Sequence, residues 1–243
     1  MYGLWCLACV VGFTLWHGLR VSLGALVGVP DRRGGLYDRE LRSWGWHLIS
    51  AARLPVTVAG LERLEPERPY VFASNHGSFA DTWVLPAYLP GSLRFIAKRE
   101  LYSIPLFGRA LRATGQIAVD RRDLDAATQS YEHAAQMVRG GRSVIVFVEG
   151  TRSRDGSLLE FKKGAFVLAI GAGVPLVPVY LRGTQCVLPR GSLWVRLHPV
   201  ELVVGTPIPT NGLTYDDRDA LSARARRWFE EQQAGVDAVG SQA

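Results

Sequence analysis

The chain has 243 residues, 48% of them hydrophobic and 21% charged, with 7 Trp, 8 Tyr and 9 Phe. A chain of this length and composition buries most of its unfolded surface in one core, which excludes a disordered protein, and three cysteines exclude a disulfide framework. The formal charge of +6 points to an anionic partner, whether nucleic acid, phospholipid or a phosphorylated small molecule, without choosing among them.

Half of that charge is N-terminal. Residues 1–54 hold six arginines (Arg20, Arg32, Arg33, Arg39, Arg42, Arg53) against three carboxylates (Asp31, Asp38, Glu40), together with four of the seven tryptophans. Tyr2 to Leu19 carries no formal charge, and the apolar run continues past Arg20 to Val29 before Pro30 stops it. About 20 apolar residues cross a bilayer, so this stretch either spans or lies in one leaflet. No basic region precedes Leu4, which argues against a cleaved signal peptide. Tyr37, Leu41, Trp44 and Leu48 recur at helical spacing with Arg39 and Arg42 among the polar positions, predicting a second, amphipathic helix at a membrane surface. Cys6 and Cys9 form a C-x-x-C in apolar surroundings with no second ligand pair, so metal or redox use is not expected.

Beyond residue 54, short apolar runs alternate with helical patterns, the signature of an α/β architecture. Strands are predicted at Tyr70–Ala73, Leu93–Ala97, Gln116–Val119, Ser143–Val148 and Leu176–Tyr180, with a late pair, Leu193–Leu197 and Glu201–Val204, around Pro199. Helices are expected from the loop after Gly77 toward Leu89, from Leu124 to Val138 before Gly140 and Gly141, over Phe161–Ala172, and around Leu221, Ala225, Trp228 and Phe229. The predicted organisation is an anchoring segment over 1–54, a folded α/β body over 55–234 and a flexible tail over 235–243.

The first loop reads Ser74-Asn75-His76-Gly77-Ser78-Phe79-Ala80-Asp81, a histidine at a strand end with a carboxylate five residues later. Such an aspartate can fix one ring nitrogen and leave the other to take a proton, although a loop His–Asp pair also serves structure alone. No nucleophile elbow accompanies it, so a nucleophile would be a substrate hydroxyl. Phe147 to Ser153 follows another strand. There Gly150, Thr151 and Arg152 can grip a phosphate through backbone N–H groups and a guanidinium, unless Glu149 and Arg152 form only a surface pair. Lys98-Arg99-Glu100 closes a third strand, and Lys162 and Lys163 open a basic turn. The basic residues form no tract of the kind that binds nucleic acid, and none is expected as a partner.

Taken in order, these segments resemble the four motif blocks of the glycerolipid acyltransferases, specifically the lysophosphatidate acyltransferases. Asn75 to Asp81 resembles the first block. Lys98 to Leu101 with Ile104 to Gly108 and Gly115 to Arg121 resembles the second, Phe147 to Ser153 the third, and Val174 to Val179 the fourth. Val148 stands where the family has proline. The resemblance implies an α/β fold with a mostly parallel mixed sheet flanked by helices, and transfer of a fatty acyl group from acyl-CoA or acyl carrier protein to the sn-2 hydroxyl of lysophosphatidate. It further implies His76 as general base oriented by Asp81, and Glu149, Gly150, Thr151 and Arg152 on the acceptor's glycerol phosphate with Lys98 as a second cation. Beyond the thioester no cofactor and no metal is implied, and the active site is expected at the cytoplasmic side of a membrane. Acceptor choice among lysophosphatidate, other lysophospholipids and lyso-aminolipids, and a lipid-binding or esterase role in place of transfer, stay open at this level.

Overall fold

A computed structural model describes residues 1–120, 122–153 and 156–240. Two helices, α1 (Tyr2–Leu26) and α2 (Leu36–Ala51), precede strand β1 (Val56–Ala59). Then follow β2 (Val71–Ser74), α3 (Asp81–Tyr88), β3 (Leu93–Lys98), α4 (Phe107–Ala113), β4 (Ile117–Val119), α5 (Leu124–Arg139) and β5 (Ser143–Phe147). The chain ends with α6 (Gly164–Ala172), β6 (Leu176–Arg182), α7 (Thr184–Val187), β7 (Val200–Val204) and α8 (Arg218–Gly240). The seven strands form one sheet in the order β1-β7-β6-β2-β5-β3-β4. Every neighbouring pair is parallel except β6 and β7. This is the expected mostly parallel mixed sheet.

The central strands read as unbroken apolar runs because both faces of the sheet are covered. Within β2, Phe72 turns toward a core shared with α2 and α3, containing Leu48, Trp83 and Leu85, while Val71 and Ala73 turn toward α5, α6 and α8, where Ala134, Phe166 and Ala225 lie. The apolar face of α2, expected at a membrane surface, therefore packs on the protein core instead, with Tyr37 and Leu48 buried and Leu41 and Trp44 lying against the first core, because the sheet face above β2 needs a cover. Gly45 makes this approach possible: a Cβ there would come within 2.4 Å of the Trp83 carbonyl oxygen. Arg42, one of the polar positions of its helix, donates to the Ala87 and Leu89 carbonyls at 3.1 and 2.8 Å, completing the C-terminal end of α3. Arg94 is fully buried and pairs with Asp31 and Asp38, both at 2.7 Å, tying the chain around the α1–α2 connection to β3.

Five elements differ from expectation, two of them the short helices α4 and α7, which no predicted element anticipates. β1 is only four residues long and is bracketed by Pro55 and Gly60, too brief for its alternation to stand out. Leu193–Leu197 is not a strand, because the two edges of β7 are already taken by β1 and β6. Helix α6 begins at Gly164 rather than Phe161. The tail expected from Gly235 starts within α8, and its last residues, 241–243, lie outside the described ones.

Candidate active site

The parallel register aligns the C-terminal ends of three strands. Ser74 lies opposite Phe147 of β5 and Val179 of β6, and pairing of Phe95 with Ile145 brings Lys98 level with Val148. Strand ends on this edge are where parallel sheets gather their reactive groups. The backbone leaving β2 is held by Asn75, whose amide donates to the Leu181 carbonyl at 2.8 Å and accepts the Leu181 N–H at 2.7 Å. The side chain thus continues the ladder to β6 for one more step and fixes where His76 emerges.

His76 Nδ1 lies 2.7 Å from Asp81 Oδ2. Asp81 opens α3, and the same oxygen accepts the N–H groups of Gly77 and Ser78, both at 2.9 Å. The carboxylate is fully buried, so its position is set from three sides. A carboxylate only accepts, so Nδ1 carries the hydrogen and Nε2 is left as the basic nitrogen. The imidazole stacks on Phe147, with ring centroids 3.8 Å apart and planes 15° apart, which keeps the ring from swinging.

Glu149 occupies a different place from the one its motif implies. Its side chain is 3% exposed, and its two oxygens accept backbone N–H groups, Oε1 from His76 at 2.9 Å and Oε2 from Leu159 at 3.0 Å. Burial pushes its carboxyl above the usual carboxylate range, and the two N–H donors oppose that shift only in part. The Ser153 N–H donates back to the His76 carbonyl at 2.8 Å, so the two loops hold each other. Gly150 follows with φ of +69°, a conformation that favours glycine and turns the chain toward Thr151 and Arg152. Val148, where the family has proline, donates its N–H to the Ser74 carbonyl at 2.9 Å. A proline could not make that bond, and here it extends the β2–β5 ladder to the edge of the site.

A cavity of about 490 Å³ opens beside His76. Lys98, Gly150, Thr151 and Arg152 line it together with His76, so five of the seven expected site residues converge on one space; Asp81 and Glu149 stand behind them. Lys98 is paired with Glu100 at 3.0 Å, and both side chains are more than half exposed. The remaining wall is largely apolar and comes from Val21 of α1, Leu41 and Trp44 of α2, and Phe107, Ala110 and Leu111 of α4. Two contributors were not foreseen. Arg190 reaches the cavity, where its Nη1 donates to the Arg152 carbonyl at 3.4 Å. His17 and Glu40 join the wall as a 2.6 Å pair that bridges α1 to α2. No local pattern marks Arg190, which lies in an irregular segment outside the four blocks.

The arrangement joins an oriented base, a group of cations and an apolar cavity. The sequence model of the family described as Acyltransferase matches residues 55–182. A chloroplast 1-acyl-sn-glycerol-3-phosphate acyltransferase of Brassica napus is 39% identical over 182 residues, covering 71% of this chain and 53% of that one. The human 1-acyl-sn-glycerol-3-phosphate acyltransferase alpha is 41% identical over 188 residues, covering 74% and 64%. The chain thus spans about half the length of the curated relatives it matches. The crystal structure of the 1-acyl-sn-glycerophosphate acyltransferase from Thermotoga maritima superposes with a TM-score of 0.79 at 25% identity, over 96% of this chain and 95% of that one. The chain belongs to the acyltransferase family, and the relatives it resembles there are 1-acyl-sn-glycerol-3-phosphate acyltransferases.

Proposed function

We propose that the protein transfers a fatty acyl group from a phosphopantetheine thioester, carried by CoA or by acyl carrier protein, to the sn-2 hydroxyl of lysophosphatidate, giving phosphatidate. The observation that carries this reading is the pairing of His76 Nδ1 with buried Asp81 beside a cavity that combines cations with an apolar wall. His76 Nε2 takes the proton of the acceptor hydroxyl as its oxygen attacks the thioester carbonyl. The tetrahedral oxyanion then collapses, the carbon–sulfur bond breaks, and the proton passes from Nε2 to the departing thiolate. Asp81 holds the ring and stabilises the imidazolium formed between these steps. Attack on a thioester by this route calls for no metal and no further cofactor.

Arg152 with the N–H groups of the Gly150–Thr151 turn holds the acceptor phosphate, Lys98 supplies a second cation, and Arg190 a third. Glu149 acts through His76 and the Leu159 loop rather than on the substrate. The apolar wall accepts the acyl chain. The exposed side of α1, with Leu4, Val11, Leu15, Leu19 and Leu23, is the membrane-facing surface, and the cavity opens on the cytoplasmic side, where the thioester is found.

The test is a reaction of acyl-CoA and acyl carrier protein thioesters with lysophosphatidate and a panel of other lysolipids. Phosphatidate formed in step with free thiol supports the reading. Free fatty acid in place of phosphatidate makes the protein an esterase, and preference for another lysolipid reassigns the acceptor.

A further inference from the structure

The connection from α7 to β7 is irregular, yet it presents Leu193, Trp194 and Leu197 at 70%, 51% and 60% exposure. Single exposed apolar residues need no explanation, but three within five positions do. The segment is held firmly from behind. Val195 is buried in the first core, the Arg196 N–H donates to the Val187 carbonyl at 2.8 Å, and the Trp194 N–H donates to Ser192 Oγ at 3.0 Å. Ser78 of the His76 loop donates to the Leu188 carbonyl at 2.8 Å, fixing the start of the segment to the candidate active site.

Trp194 lies against Gly3 at the beginning of α1, where a Cβ would come within 2.8 Å of its Cε3. Leu4, next in sequence, begins the exposed apolar side of α1, so the two surfaces adjoin. No carboxylate occurs from Gly183 to Val200, whereas Arg190 and Arg196 in the same stretch are exposed. Leucine and tryptophan flanked by arginine, with no acid in the stretch itself, is the composition that enters the headgroup region of an anionic leaflet.

We propose that the Arg190–Leu197 segment is a second bilayer-inserting element: Leu193, Trp194 and Leu197 enter the leaflet beside the start of α1, and Arg196 contacts anionic lipid headgroups, while Arg190 stays at the cavity. The inference rests on the membrane-facing reading of α1. Because Arg190 lines the cavity, insertion sets the cavity mouth at headgroup depth, where a lysolipid is delivered without leaving the membrane.

Flotation of the full chain with phosphatidylcholine vesicles, with and without phosphatidylglycerol, tests this alongside quenching of tryptophan fluorescence by lipids brominated on the acyl chain. The wild type floats best with the anionic vesicles. Leu193→Ser with Leu197→Ser lowers that binding by about tenfold or more, since affinity follows inserted apolar area, and leaves the thermal midpoint unchanged because both residues are exposed. Trp194→Phe removes a measurable part of the quenching. Binding equal to wild type in the double variant, with no loss of quenching in Trp194→Phe, overturns the second element and leaves α1 as sole anchor. Failure of the wild type to float overturns both readings. A dimer abolished by the double variant with vesicle binding unchanged assigns the patch to self-association and likewise overturns the proposal.

Discussion

Glu149 accepts the backbone N–H of His76 at 2.9 Å from a position 73 residues further along the chain. A carboxylate at this place acts on the base through the backbone that carries it. Glu149→Gln keeps the shape but turns one N–H acceptor into a donor facing a donor. We expect a loss of about 2 kcal/mol of stability and a fall in kcat with little change in the KM of either substrate. A rise confined to the KM of lysophosphatidate would instead put Glu149 on the phosphate.

The same carboxyl sets a pH dependence. Its value is raised in the folded protein by burial, so the folded state binds the proton more readily than the unfolded chain. Its contribution is fully present below the unfolded carboxyl value and is lost as pH rises through the folded one. The stability of wild type relative to Glu149→Gln therefore increases as the pH is lowered through that window, which thermal midpoints of both proteins across an acidic series can check. A gap constant with pH contradicts the assignment.

Arg152 and Lys98 divide the phosphate unequally. Lys98 is more than half exposed and already paired with Glu100, whereas Arg152 is half-buried beside the Gly150 turn. Arg152→Ala is expected to raise the KM of lysophosphatidate by about ten- to a hundredfold, as loss of a charged hydrogen bond of about 1.5–3 kcal/mol requires. Lys98→Ala should cost less, because exposed charges are screened. Steady-state kinetics with each substrate varied in turn separates this from an effect on the thioester.

Gly45 and Val148 test the frame around the site. Gly45→Ala drives a methyl group against the Trp83 carbonyl and should cost about 1–3 kcal/mol. The same substitution displaces α3, which begins at Asp81, so activity measured below the melting transition should fall as well. Val148→Pro restores the family's residue at the cost of the N–H bond to Ser74, about 1 kcal/mol. Its turnover should stay within a few-fold of wild type; a collapse would show that this chain's ladder extension has become essential to the site.

His76 and Asp81 were legible in the sequence because they lie five residues apart, and a carboxylate at a helix start reaches back over one loop. The sheet was legible because strands buried on both faces are continuous apolar runs bounded by glycine and polar turns. Glu149 was visible as a residue but not as a buttress, since a motif gives identity and leaves open which of two facing loops a side chain supports. Arg190 left no local mark at all: its place depends on how the α7–β7 connection folds back on Ser78, a contact between residues more than a hundred positions apart. The same connection misled the strand assignment, because alternation at Leu193, Val195 and Leu197 is a strand pattern only where a neighbouring edge is vacant.

The most direct test of the proposed chemistry is the single-turnover rate of phosphatidate formation by His76→Ala, with lysophosphatidate binding measured on the same protein. A general base of this kind contributes about a hundred- to ten-thousandfold. The account predicts a loss of that size with binding of lysophosphatidate unchanged, since Arg152 and Lys98 are untouched. Acyl transfer at an undiminished rate by His76→Ala would contradict it.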